Sequence, residues 1–239
     1  MTLPVAILAG GLATRLGSVT EKLPKALIDV AGKPFVVHQL EVLRAHGVRR
    51  VVMCVAHLDH QIQAVLGDGA AFGLDIAYSH DGDTLLGTGG ALRRALPLLG
   101  DAFLTLYGDS YLACDYEGIA GAFLASGKAA LMTVYKNDGQ YDASNVDFRD
   151  GTLLRYDKTD KTGAMTHIDW GLGAFRASAF SAYMSKESAA EKLDLATVYQ
   201  DLLARGEVLG YEVTERFYEI GSFAGLEETR ALLASKETS

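Results

Sequence analysis

Over its first 136 residues the chain alternates short apolar runs with amphipathic stretches, and that order leaves few folds open. Pro4–Ala9, Arg50–Ala56, Leu74–Tyr78, Ala102–Tyr107 and Ala129–Tyr135 read as strands. Phe35–Ala45, Asp59–Leu66, Thr88–Leu96 and Tyr116–Ser126 read as helices. Val36, Leu40 and Leu43 fall at helical spacing, with Gly47 as the stop. Asp59 is expected to cap the second helix. A β-α-β-α order predicts an α/β protein with a parallel sheet and helices on both faces. Beyond residue 136 the strands shorten and alternate: Asn145–Phe148, Leu153–Tyr156 and Trp170–Phe175. Helix Leu195–Arg205, strand Val208–Thr214 and helix Ala224–Ser235 follow. No linker, repeat or low-complexity tract separates the two parts. The expectation is one domain, 1–239, with a parallel half (1–136) and a more irregular half (137–239). In open sheets of this type a ligand sits at the carboxyl ends of the strands.

Composition narrows the partners. Lys plus Arg is 22 and Asp plus Glu is 30, a formal charge of −8 over 239 residues. A nucleic-acid protein needs a basic face to displace counterions, so that class is set aside. A nucleotide ligand is not, because it needs only a few cations and oriented N–H groups. Two cysteines, Cys54 and Cys114, exclude a disulfide framework and favour a reducing compartment. No apolar run approaches the ~20 residues of a membrane span. The N-terminus has no cation before Arg15, unlike a signal peptide. A cytoplasmic protein without a membrane partner is expected.

Glycine, 26 of 239 residues, exceeds the usual ~7%. It clusters at Gly10–Gly11, Gly87–Gly90 and Gly171–Gly173. In LAGGLATRLG (Leu8–Gly17) a strand runs into a glycine pair, followed by KLPKAL (Lys22–Leu27). Glycines let backbone N–H groups approach phosphate oxygens. Arg15 offers a planar fork and Lys25 a compact cation. The spacing is neither G-x-G-x-x-G nor G-x-x-x-x-G-K-[ST]. Two adjacent glycines at the start of a helix, Gly89 and Gly90, are unfavourable there, and close approach of the backbone to a flat base would explain them. Asp109, after a strand, suits Mg²⁺, which takes one or two carboxylates plus substrate phosphates. Trp170 reads either as a face for a sugar ring or as core, and core is favoured. His57-x-x-His60 lacks a third ligand at suitable spacing and reads as surface histidines. No nucleophile elbow or Cys/His pair is present.

Leu-Ala-Gly-Gly-x-x-Thr-Arg-Leu followed by Pro-Lys resembles the signature of the sugar-1-phosphate nucleotidylyltransferases. The resemblance continues through LGTGGA (Leu86–Ala91), Gly108–Asp109, Ser144-Asn145-Val146, Tyr156-Asp157-Lys158 and Glu219-Ile220-Gly221-Ser222. It implies a Rossmann-like three-layer αβα sandwich with a mixed, mostly parallel sheet, the nucleotide-diphospho-sugar transferase fold. The halves become a nucleotide-binding one (1–136) and a sugar-binding one (137–239). The implied reaction joins an NTP to a sugar 1-phosphate and releases pyrophosphate. The implied roles are catalysis by Arg15 and Lys25, and nucleotide binding by Leu8, Gly10, Gly11, Thr14, Asp81, Gly87 and Thr88. Asn145, Asp157 and Lys158 would take the sugar phosphate, and Asp109 and Glu219 would hold Mg²⁺. Family members often have Glu-Lys where this chain has Asp157-Lys158, and many have Asp where it has Glu219.

The register of His80-Asp81-Gly82-Asp83 against the family is ambiguous by one residue. A carboxylate at Asp81 or Asp83 would accept from guanine N1–H and N2–H₂, which favours GTP. Within the family the motif combination is most similar to the D-glycero-D-manno-heptose 1-phosphate guanylyltransferases. It is also similar to mannose 1-phosphate guanylyltransferases and short N-acetylmuramate 1-phosphate uridylyltransferases. A homo-oligomer stays open. Three other classes compete: a nucleotide-sugar-sensing binding module, an NAD(P)-dependent oxidoreductase and a molybdopterin-type nucleotidyltransferase. Intact Arg15, Lys25, Asp109 and Glu219 weigh against the first. The glycine spacing weighs against the second, and the motifs after residue 140 against the third.

Overall fold

Pleating decides the layers. In the strand β1 (Val5–Leu8) Val5, Ala6 and Ile7 are all fully buried, and their side chains alternate between the two faces of a sheet. Val5 and Ile7 join one apolar cluster, with Leu40, Leu43, Ile62, Ile119 and Phe123. Ala6 joins another, with Leu92, Ala95, Phe103, Val198 and Leu202. The computed structural model describes residues 2–11, 23–82, 84–160, 162–185 and 191–237.

The other elements follow in chain order. They are α1 (Phe35–Ala45), β2 (Arg50–Val55), α2 (Asp59–Leu66), β3 (Asp75–His80), α3 (Gly87–Leu99) and β4 (Ala102–Tyr107). Then come α4 (Tyr116–Ser126), β5 (Ala130–Lys136), β6 (Val146–Arg149), β7 (Thr152–Tyr156) and β8 (His167–Arg176). The chain ends with α5 (Leu195–Ala204), β9 (Val208–Val213) and α6 (Phe223–Glu237). The sheet runs β3-β2-β1-β4-β8-β5-β9, with β6 and β7 continuing from β8. β1, β2, β3 and β4 are parallel, as are β5 and β9. β8 runs antiparallel to both β4 and β5. Helices α1, α2 and α4 cover one face, and α3 and α5 the other. The sheet is therefore mixed and mostly parallel between two helical layers, the architecture the sequence implied. Among the described residues no helix is long and apolar enough to cross a membrane.

Three local expectations differ. The N-cap of α2 is Leu58, at φ 59, and not Asp59. The Asp59 carboxylate lies 2.6 Å from His80 Nδ1 and accepts from the His60 N–H, and these bonds hold its carboxyl below the ordinary value. Helix α3 continues past Leu96 to Leu99, with Pro97 inside its last turn. Strand β8 begins at His167 and not at Trp170. Its register shifts between Asp169 and Gly173, and Gly171 sits at φ 103. Such a bulge re-aims side chains locally and interrupts the two-residue period. Trp170 lands in the core, 1% exposed, with its indole N–H donating to Glu215 O at 2.7 Å.

Candidate active site

Two cavities open at the carboxyl ends of β1 and β4. The first, about 380 Å³, is walled by Leu8, Gly10, Gly11, Lys25, Asp81, Gly87, Thr88, Asp109 and Lys192, among others. The second, about 490 Å³, is walled by Asn145, Lys158, Asp169, Trp170, Arg216 and Glu219, among others. Tyr107 and Asp109 line both.

The floor of the first cavity is backbone. Gly108 N–H donates to Leu8 O at 3.0 Å, and Ala9 N–H to Cys54 O at 2.8 Å. A Cβ at Gly108 would stand 2.7 Å from Leu8 O, so the close approach of the chain after β4 to the end of β1 requires glycine. The glycines that open α3 have a different cause from the one the sequence suggested. Gly89 and Gly90 N–H both donate to Leu193 O, at 2.9 and 3.1 Å, and Leu193 N–H donates to Leu86 O at 2.8 Å. A Cβ on Gly89 would lie 2.9 Å from Leu193 Cγ. The chain itself, at Lys192–Asp194, takes the space and caps two amides of the helix start. Gly87 and Thr88 still face the cavity. The Thr88 hydroxyl accepts from Leu195 N–H at 2.9 Å, which joins the start of α5 to the start of α3.

Asp81, 8% exposed, accepts from Leu86 N–H at 3.0 Å through Oδ2. Burial raises its carboxyl above the ordinary value, and that hydrogen bond opposes the rise. Arg15 and Thr14 lie outside the described residues, as does Asp83.

The second cavity is polar and aromatic. Asn145 accepts from Asp169 N–H at 2.9 Å through Oδ1, while its backbone bonds His167 O and Asp157 N–H. Lys158 Nζ stands 5.8 Å from the centre of the Tyr156 ring and 3.7 Å from the Asp194 carboxylate. Asp157 departs from the expectation, because it lines neither cavity. Its carboxylate is held by Thr159 N–H and Oγ1, by Asp160 N–H and by Arg155, and the Thr159 and Arg155 bonds pull its carboxyl down to about 2. Asp157 organises its own turn and leaves Lys158 to face the cavity. Arg216 stacks between Tyr141 and Tyr218, 4.0 and 4.6 Å from the ring centres, and pairs with Glu228.

Asp169 is a wall residue that motif reading passed over. It accepts from Gly171 N–H at 3.1 Å and Tyr156 O–H at 3.2 Å. Burial raises its carboxyl, and the Lys158 charge opposes the rise. Its signal was present in HIDWGLGAF, a lone acid in an apolar strand. Tyr107, Lys192 and Arg216 carried no comparable signal. Burial and the charges of Asp169, Asp194 and Asp109 push the Tyr107 phenol well above its ordinary value, so it stays neutral.

The cavities meet at a charged junction. Lys25 Nζ donates to Asp109 Oδ2 at 2.9 Å. A two-residue ladder sets Tyr218–Glu219 against Ser110–Tyr111, with Glu219 opposite Ser110, and Ile220 N–H donates to Asp109 O at 2.9 Å. This pairing carries Glu219 to the side of Asp109. The Glu219 carboxylate accepts from Ser222 Oγ at 2.8 Å and from Gly221 N–H. Two hard carboxylates fit a divalent cation that completes its shell with phosphate oxygens and water. Among the described residues no group of three or more His, Cys, Asp or Glu forms a protein-only metal site.

The chain is similar to known proteins in sequence and in fold. A family model described as "Nucleotidyl transferase" matches residues 5–236. The chain is 30% identical over 229 residues to the N-acetylmuramate alpha-1-phosphate uridylyltransferase of Neisseria meningitidis, covering 95% of this chain and 96% of that one. It is 28% identical over 200 residues to the D-glycero-alpha-D-manno-heptose 1-phosphate guanylyltransferase of Campylobacter jejuni, covering 83% and 87%. In fold it superposes on a Bacillus anthracis chain designated a glucose-1-phosphate thymidylyltransferase, with a TM-score of 0.87 at 20% identity. That match covers 97% of this chain and 95% of the other.

Proposed function

The chain belongs to the nucleotidyl transferase family, and from that premise we propose that it joins an NTP to a sugar 1-phosphate. The observation that carries this reading is the pair of cavities that share Asp109, with Lys25 bonded to it at 2.9 Å. In the proposed reaction the sugar phosphate oxygen attacks the α-phosphorus in line. A new P–O bond forms, the bond to the β-phosphate bridging oxygen breaks, and pyrophosphate leaves. The nucleophile is already an anion at pH 7, so no general base is required. Positioning and charge are what the protein must supply.

Gly10 and Gly11 take the triphosphate, and the reading gives Arg15 and Thr14 the same task. Lys25 bridges the α-phosphate and the attacking phosphate. Lys158 holds the sugar phosphate, and Asp169 accepts from a sugar hydroxyl. Asp109 and Glu219 would hold Mg²⁺, which when bound neutralises charge on the α-phosphate. The proposed division into a nucleotide half (1–136) and a sugar half (137–239) is not strict. Lys192 lines the first cavity, and Tyr107, Asp109 and Ser110 line the second.

For the base, Asp81 favours one that donates a ring N–H, and guanine is our first choice. It faces the cavity, and its hydrogen bond to Leu86 N–H leaves Oδ1 to accept from a base N–H. For the sugar, Asp142, Asp169 and Glu228 accompany Lys158 and Arg216 in the second cavity. That acid-rich wall favours a neutral polyhydroxyl sugar, and heptose 1-phosphate is our first choice. A second reading, UTP with N-acetylmuramate 1-phosphate, is favoured by Arg216 in the wall, a partner for a carboxylate. The Neisseria relative points the same way.

The test is pyrophosphate release with Mg²⁺ across GTP, UTP, ATP, CTP and dTTP against heptose, mannose, glucose and N-acetylmuramate 1-phosphates. We expect release with GTP and the heptose phosphate. Release only with UTP removes guanine as the base. No release from any pair, by folded protein, moves the reading to a nucleotide-sugar-sensing module.

A further inference from the structure

A glutamine outside both cavities holds the turn on which they meet. Gln39 lies in α1 and is 2% exposed. An amide buried that deeply must find partners. Its Nε2 donates to Tyr107 O at 3.0 Å and to Ser110 O at 2.8 Å. Those two residues flank Gly108–Asp109. Nothing in the helical pattern of α1 required a polar residue there, since Phe35, Val36, Leu40 and Leu43 fill the same buried face with hydrocarbon.

The orientation of the amide is fixed. Gln39 Oε1 has no partner among the described residues. Turning the amide over would set that oxygen against two carbonyl oxygens and strand both. The chain accepts one bare acceptor in order to hold two backbone carbonyls from a single nitrogen. The held turn is the one that matters for the chemistry. Tyr107 lines both cavities, Asp109 carries the Lys25 ion pair, and Ser110 is the ladder partner of Glu219.

We propose that Gln39 is a positioning residue for the cation and phosphate site. By clamping both sides of the Asp109 turn it fixes the position of that carboxylate and, through the Ser110 ladder, of Glu219, the two residues that would hold a divalent ion. Gln39 touches neither substrate nor metal. The inference rests on the nucleotidyl transfer reading, but its metal arm is independent of turnover.

Three variants test it. Gln39→Met removes both donors at nearly constant length, and Gln39→Asn keeps them on a shorter stem. His38→Leu is the stability control. That histidine is buried in the same helix and bonds Val30 O at 2.7 Å, not the Asp109 turn. The readouts are thermal midpoint, Mn²⁺ affinity of the protein by electron paramagnetic resonance, and kcat and KM with the pair that the wild type uses. Outer partners of metal ligands typically contribute 10–100-fold, so Gln39→Met should lose roughly that factor in Mn²⁺ affinity and in kcat. Both KM values should move by less than ~3-fold, because the clamp acts on the transition state and not on uniform binding. Gln39→Asn should fall between wild type and Gln39→Met. His38→Leu should lower only the midpoint.

Wild-type Mn²⁺ affinity and kcat in Gln39→Met overturn the proposal. So does an equal loss in His38→Leu at the same midpoint shift, and so does a wild type that binds no Mn²⁺. If the wild type releases no pyrophosphate with any pair, the metal arm decides. A Gln39-dependent Mn²⁺ affinity then keeps the clamp while the nucleotidyl transfer reading falls, and an affinity independent of Gln39 overturns the clamp too.

Discussion

Lys25→Ala should lower turnover by at least ~10²-fold while the protein stays folded, the scale of one lost electrostatic stabiliser. Lys25 stands where the two cavities join, bonded to Asp109 at 2.9 Å. It sits in the 3₁₀ turn Lys25–Leu27, whose Ala26 and Leu27 are buried, so the turn is anchored whatever residue 25 is. In the proposed reaction the side chain contributes charge at the point where two polyanions meet. In the proposed reaction ground-state binding has other donors, while among the described residues Lys25 alone is bonded to Asp109 by an ion pair. The loss should therefore appear in kcat more than in either KM. Lys25→Arg should restore little, because a longer planar fork, which can pair side-on with the Asp109 carboxylate, does not place its charge where the compact ammonium stands. The check is steady-state pyrophosphate release. A turnover within ~3-fold of wild type would remove Lys25 from the mechanism.

Asp109→Asn should be as damaging for a different reason. The amide keeps the shape of the side chain and removes its charge. Lys25 loses its ion partner, and Glu219 is left as the one carboxylate of the pair. We expect turnover to fall by two orders of magnitude or more, about the effect of deleting one charged element of a phosphate clamp. The required Mg²⁺ concentration should rise. Titrating the rate with Mg²⁺ separates the two effects: a maximal rate that recovers at high metal means Asp109 serves affinity, and one that stays low means it also places the phosphate. The backbone bonds from Ile220 N–H to Asp109 O and from Gly108 N–H to Leu8 O survive the substitution, so folding should persist.

These two residues also show where sequence reading reaches and where it stops. Helices α1 and α4 were legible to the residue. Phe35–Ala45 has a Pro34 start and a Gly47 stop, and Tyr116–Ser126 has Asp115 accepting from Gly118 N–H as its cap. Buried strands such as Ala102–Tyr107 declared themselves by unbroken apolarity. Strand β8 did so only from Trp170 onward, because the shift between Asp169 and Gly173 breaks the alternation that marks a strand, and the polar Asp169 sits at the break.

The cavity lining was legible where one motif held the parts, as in Gly10–Gly11, Gly87 and Lys158. It was not legible where the parts are far apart. Lys25 and Asp109 are 84 residues apart, and no spacing rule joins them. The glycines of α3 were seen, but their cause, the Leu193 carbonyl, lies about a hundred residues onward and left no local trace. Asp157 misled for the opposite reason. It sits in a matching motif, yet Thr159, Asp160 and Arg155 compete successfully for its oxygens.

The most direct test of the central claim is a crystal structure of the protein with Mg²⁺ and the NDP-sugar that it makes. The account predicts the base beside Asp81 in the first cavity and the sugar beside Lys158 in the second. The diphosphate should lie across the junction, against Lys25 and Asp109. A product held wholly in one cavity, or a diphosphate that touches neither Lys25 nor Asp109, would contradict it.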